Sequence, residues 1–197
     1  MSRRSLVLVE PRAGAIPPGQ LGVLSAVRAV SDAVEVLLPV SAAESVEELV
    51  ASTGRHGADV VHVVAGLPAT APARTRLIER LHGQQPFDMV ALENSSLSAD
   101  VAGALAVRLN AGVCWDLVGL DDVAGELVGR RLALADSIAV DVAWIGELGV
   151  ALFRTASLDP VDGSPDGTPE VRLLDPPTDD GPDLTVVSSA EGSGAGP

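Results

Sequence analysis

The sequence predicts an α/β domain built on a doubly wound, mainly parallel sheet and followed by an acidic tail. Three observations lead there. Short continuous apolar runs alternate four times with segments of helical periodicity, and the breaks between them are brief. The 197 residues are 47% hydrophobic and 20% charged, so one domain can bury roughly 70% of its extended surface. After Asp116 the helices stop and the runs are separated by tight turns, which predicts antiparallel additions.

Ser5 to Val9, stopped by Glu10-Pro11, reads as a strand buried on both faces and central in the sheet. Pro17-Pro18-Gly19 break the chain before a helix with Val23, Val27 and Val30 on one face. Val34 to Leu38 is the second strand. Ser41-Ala42-Ala43-Glu44 has the form of a capping box and opens a helix with Val46, Leu49 and Val50 inward, ended by Gly54 and Gly57. Val60 to Val64 is the third strand. The helix after it, near Ala73 to Leu81, carries Arg74, Arg76, Glu79 and Arg80 outward and closes at Gly83. Phe87 to Leu92 is the fourth strand, and Ser98 caps a helix to Leu109 whose Ala102, Gly103 and Ala106 allow close approach to the sheet. Gly112 to Trp115 is the fifth, with Asp116 beyond it and Asp121-Asp122 in a solvated turn. Glu126 to Leu134, Ile138 to Trp144 and Val150 to Thr155 are the added strands.

The domain is expected over residues 1–155 and the tail or linker over 156–197, where Asp, Pro, Gly and Ser dominate around Val171 to Leu174 and Leu184 to Val187. The net charge of -14 is unevenly placed, more than half of it lying in that tail. Such a balance argues against nucleic acid and anionic membrane as partners, because phosphate contacts need local Lys or Arg. The single cysteine, Cys114, reads as a small buried apolar residue. No run approaches the ~18 apolar residues of a membrane span, and the start has no secretory pattern, so a cytoplasmic chain is expected.

Elimination narrows the chemistry. His56, His62 and His82 lack the spacing of a metal site, and no Gly-x-Ser-x-Gly elbow is present. The chain has no lysine for a phosphate loop and no Gly-x-Gly-x-x-Gly after its first strand. No catalytic residue and no metal ligand are therefore assigned. Open α/β sheets bind ligands beyond the strand ends at the topological switch point, here after Glu10 and Glu93. The loop from Glu93 through Asn94, Ser95, Ser96 and Ser98 to Asp100 leads into a helix N-terminus suited to a phosphate or an adenylate such as AMP. The plainer reading makes Ser98 an N-cap and Asp100 a first-turn acid. Arg130 and Arg131 are adjacent on a strand and face opposite sides; with Arg154 they are candidate anchors for a partner.

The order of segments resembles the amino-terminal domain of the electron transfer flavoprotein alpha subunit, within the adenine-nucleotide alpha-hydrolase-like folds. The stretches that carry it are Ser5 to Glu10, Leu24 to Arg28, Phe87 to Leu92, Asp100 to Leu109, Gly112 to Leu120 and the three added strands. It covers about residues 5 to 160, and Val171 to Leu174 with Leu184 to Ser188 are similar to the approach to that family's second domain. The sequence departs from it where Ser98-Ala99-Asp100 replaces a usual Gly-Arg-Asp, and Leu134-Ala135-Asp136-Ser137 replaces an aromatic-Gly-Gly turn. The domain that makes most FAD contacts in the family has no counterpart here, so no FAD-binding residue transfers. The resemblance implies a non-catalytic alpha-like scaffold of an electron carrier between flavin-dependent dehydrogenases and the respiratory chain. It also implies a heterodimer with a beta-like subunit and FAD held in the assembled complex, with the flavin domain supplied by a separate chain or absent. The competing expectation is a small AMP-binding module.

Overall fold

The structure, a computed structural model, describes residues 2–41, 45–162 and 168–177. Four βα units follow one another: β1 (Arg4–Leu8), α1 (Pro18–Val30), β2 (Ala33–Val40), α2 (Val46–Arg55), β3 (Val60–Ala65), α3 (Ala71–Gln84), β4 (Met89–Glu93) and α4 (Ser96–Arg108). Then come β5 (Gly112–Val123), β6 (Glu126–Ala133), β7 (Ile138–Val142), β8 (Gly149–Phe153) and β9 (Glu170–Leu174). Together they form one sheet in the order β7-β6-β5-β8-β4-β1-β2-β3-β9. This is the expected α/β doubly wound fold.

β1 is central because it is apolar on both faces. Val7 and Val9 join a core with Val23, Leu24 and Val27 of α1 and Leu49 of α2, whereas Leu6 and Leu8 join the opposite core with Leu77 and Ile78 of α3 and Val101 and Leu105 of α4. Each such side chain contributes about 1.5–3 kcal/mol when fully buried. β1 pairs in parallel with β2 on one side and β4 on the other, so the winding reverses between β1 and β4. Pro18 at the start of α1 has the backbone angle a first helical turn needs and no amide proton to leave unbonded.

Several expectations are corrected. Of the three added strands, β6 and β7 are antiparallel, but β8 is parallel and lies inside the sheet between β4 and β5, buried at all five positions. An apolar run of that length, Gly149 to Phe153, has the composition of an interior strand, and the turn before it does not reveal where it goes. β5 continues to Val123 through a bulge between Cys114 and Leu117, so Asp121 and Asp122 lie in a strand. Ser95, not Ser98, caps α4, its Oγ accepting from Ser98 N at 3.1 Å, and the first turn carries no acid. Gly83 lies within α3, which runs to Gln84 with Gln85 as its C-cap. Cys114 is half-buried, and burial raises its thiol pKa above the usual value.

Ser45 stands at the start of α2 without a side-chain cap, and Ala42, Ala43 and Glu44 of the expected capping box lie outside the described residues. Leu184 to Ser188 lie outside them too. Within the segment expected as tail, β9 pairs in parallel with β3 along the register Val60↔Glu170 to Val64↔Leu174. Of its side chains only Leu174 packs against a core, so the strand is held mainly by its backbone bonds to β3.

To reach β9 from β8 the chain crosses α1. Ser25 Oγ donates to Val161 O at 3.0 Å, and two glycines of α1 let the strap lie against the helix. A Cβ on Gly19 would stand 2.6 Å from the Thr155 Cβ, and one on Gly22 would overlap the Leu158 carbonyl. Gly22→Val is therefore expected to cost about 1–3 kcal/mol in thermal or urea unfolding. Gly103→Ala, in open space on α4, is expected to stabilise by about 0.5–1 kcal/mol in the same assay.

Candidate functional site

The carboxyl ends of β1 and β4 lie side by side, and a polar network joins them. Gln20, projecting from the first turns of α1 and buried, ties both: its amide donates 3.0 Å to Glu93 Oε2 and 3.2 Å to Glu10 O, and its carbonyl accepts from Glu10 N at 2.7 Å. Glu93 is 8% exposed, and its other oxygen is held by the Arg12 guanidinium. Arg12 arrives from a tight turn in which Arg12 and Ala15 exchange backbone hydrogen bonds, with Ala13 and Gly14 at φ 50° and 80°. Across the crevice Arg74 of α3 donates to Glu10 Oε1 and, through Nη1, to Pro68 O at 2.8 Å. Arg74 was expected to face outward; it is buried because it neutralises Glu10.

The remaining residues of the expected loop disperse. Asn94 is exposed and donates 3.2 Å to Asp116 Oδ1; Ser95 and Ser98 are bonded to each other through their hydroxyls at 3.0 Å. Ser96 is exposed at the start of α4. Asp100 lies away from the crevice, in a groove of about 340 Å³ between α3 and α4 lined by Thr75, Arg76, Ala104 and Arg108. A cleft of about 620 Å³ lies at the opposite, amino-terminal end of the sheet, around Arg3, Asp32, Asp88, Asp122 and Trp144. Among the described residues no three His, Cys, Asp or Glu come together as a metal site.

Beside the crevice Arg154 grips Asp116 through two hydrogen bonds of 3.0 and 2.6 Å and reaches Asp136 at 2.8 Å. Asp136 belongs to the β6–β7 turn, where Leu134, Ala135 and Asp136 all have positive φ, of 50°, 54° and 62°. L-residues enter that region at a cost, and the Arg154 bridge holds the turn there. Hydrogen bonding from Arg154 lowers the Asp116 pKa below the usual carboxylate value, against the smaller upward push of burial. Arg130 is bound to Asp141 at 2.9 Å. Two of the three expected partner anchors thus hold their own chain together. Arg131 is half-buried beside Cys114 and Asp116, its Nε without a hydrogen-bond acceptor.

A second buried network crosses the sheet, in which His62 Nε2 donates to Glu35 Oε2 at 2.5 Å and Arg4 donates to Glu35 Oε1. Burial raises the Glu35 pKa, but the hydrogen bonds from His62 and Arg4 outweigh it and hold the carboxyl below its usual value. Neither Gln20 nor Arg12 was singled out from the sequence. The only available signal was position, since both follow closely on the first strand.

Because the folded-state pKa of Asp116 is depressed, its stabilisation is present above the ordinary carboxylate pKa of about 3.9 and lost as pH falls through the folded value. Arg154→Gln is expected to lower Tm at neutral pH, with the gap to wild type closing as pH falls below about 4 in calorimetric scans. A gap that stays constant through that range would assign the loss to packing instead.

Among the described residues no helix is long and apolar enough to cross a membrane. No curated protein matches the chain. A family model, the electron transfer flavoprotein domain, matches residues 5–179, which reaches past β9 and includes the strap. The chain belongs to the electron transfer flavoprotein domain family.

Proposed function

We propose that the chain is an alpha-like subunit of an electron transfer flavoprotein, serving as scaffold within an electron carrier rather than as an enzyme. In the carrier it stands beside a beta-like subunit, with the flavin held on a separate flavin-domain chain, between flavin-dependent dehydrogenases and the respiratory chain. One observation supports assembly above all: β6 and β7 extend the sheet beyond β5, and the three strands leave apolar side chains partly exposed on both faces. Val113 and Trp115 are exposed on the α4 side; Ile138 and Val140 are exposed on the other, along the open edge of the sheet. Apolar surface of this kind marks protein contact sites, and an edge strand adds an open row of amide and carbonyl groups.

FAD does not fit the crevice at the switch point as it stands, because Glu93, Gln20 and Arg12 fill it and two carboxylates line it. No step of electron transfer is therefore assigned to residues of this chain. The same filling disfavours the alternative of an AMP-binding module. Since Arg130 and Arg154 are engaged within the chain, the apolar ribbon, with Arg131 at its centre, is the surface offered to a partner.

Co-expression with a beta-like chain, followed by size-exclusion chromatography with light scattering and a visible spectrum, tests this reading. A heteromer is expected, and Trp115→Asp with Val140→Asp should abolish it while leaving the fold intact by circular dichroism. A chain that stays monomeric beside every beta-like partner offered would sink the proposal.

A further inference from the structure

The place where an open α/β sheet receives a ligand is occupied here by a side chain. Phosphates are bound at such places by a guanidinium, by neutral amide donors and by the amide end of a helix. Glu93 already has the first two: Arg12 donates to one carboxylate oxygen and the Gln20 amide to the other, at 3.0 Å. The third is capped, since Ser95 Oγ accepts from Ser98 N at 3.1 Å and its own hydroxyl proton goes to Ser98 Oγ at 3.0 Å. Behind Glu93 the second carboxylate, Glu10, is held by Arg74. A phosphate entering this crevice would meet a nearly dry carboxylate whose donors are taken, and like charges at such a distance repel strongly in a poorly solvated place.

We infer that the Glu93 carboxylate stands where a ligand phosphate would, so that the switch-point crevice is plugged from within and closed to adenine nucleotides. The plug belongs to the chain itself and does not rest on the subunit reading; a chain that never met a beta-like partner would still carry it. Its parts come from three places in the sequence: the Arg12–Ala15 turn, the first turns of α1, and the end of β4. Only the Arg12 side chain is largely exposed, at 60%. It is the outer half of the plug, and Gln20 is the inner half.

Removing the carboxylate should convert the plug into a site, because Glu93→Ala leaves Arg12 and Gln20 facing vacated space. Thermal unfolding with AMP, and separately with inorganic phosphate, reads this out. Wild type is expected to show no shift in Tm at millimolar ligand. Glu93→Ala is expected to start lower and to gain about 3–6 °C at ligand ten times its Kd. A wild-type chain stabilised by AMP or phosphate would overturn the proposal, as would a folded Glu93→Ala that is indifferent to both. If Glu93→Ala does not fold, Arg12→Ala decides, since it deletes an exposed side chain and its ion pair alone. Its Tm is expected to fall by about 2–4 °C, with phosphate unable to restore it; a wild-type Tm for Arg12→Ala would overturn the plug.

Discussion

A carboxylate that ends a buried strand must be neutralised where it stands, and in this domain two such strands end side by side. β1 and β4 are neighbours because the winding of the sheet reverses between them, which brings Glu10 and Glu93 to one crevice. An unpaired buried charge costs about 3–5 kcal/mol, a large share of the roughly 5–15 kcal/mol by which whole domains are stable. The chain answers with three side chains from three different elements. The turn after β1 bends back through two residues of positive φ so that Arg12 can reach Glu93, α1 presents Gln20 between the strand ends, and α3 turns Arg74 inward to Glu10. The positions of the β1–α1 turn, the start of α1 and the start of α3 are thereby coupled to one another through charge.

The same demand for cations shapes the surface. In a chain with 13 Arg and 27 acids, arginine is the scarce partner, and much of it is spent internally. Arg4 serves Glu35, Arg28 serves Asp59, Arg130 serves Asp141 and Arg154 serves Asp116 and Asp136. The exposed pairs among these contribute little singly; their effect is to leave few arginines free for an anionic ligand. In the assembly we propose, contact with a partner therefore rests on apolar side chains and backbone edges.

The βα units were legible because a strand buried on both faces and a helix buried on one have different periods, and Ser5 to Leu109 keeps those periods cleanly. Where two elements share a period the sequence is silent about neighbours. Val150 to Phe153 reads as a strand, but nothing local says that it returns between β4 and β5. β9 was hidden for the opposite reason: an edge strand with one packed side chain needs no apolar run, only backbone bonds to β3. At the site, Glu10 and Glu93 followed from topology alone. Gln20, Arg12 and Arg74 did not, because a polar residue on a helix or in a turn looks solvent-facing until the carboxylate it must meet is placed.

The return of β8 into the sheet also decides which surface the domain offers. By filling the gap between β4 and β5 it pushes β5 one strand further out; α1 still packs on β5 around Leu117 and Leu120, while the far end of the strand, Asp121 to Val123, is exposed. β6 and β7 then continue outward as a ribbon with no helix of their own. Leu117 and Leu120 near the body are buried, yet Ile138 and Val140 at the rim are bare. The chain leaves this ribbon to return to the interior as β8. In the assembly we propose, a partner covers it, and the filled crevice and the open ribbon are two results of one topology: the end that receives ligands in other open sheets is occupied by Glu93, Gln20 and Arg12, and the exposed apolar residues lie at the side.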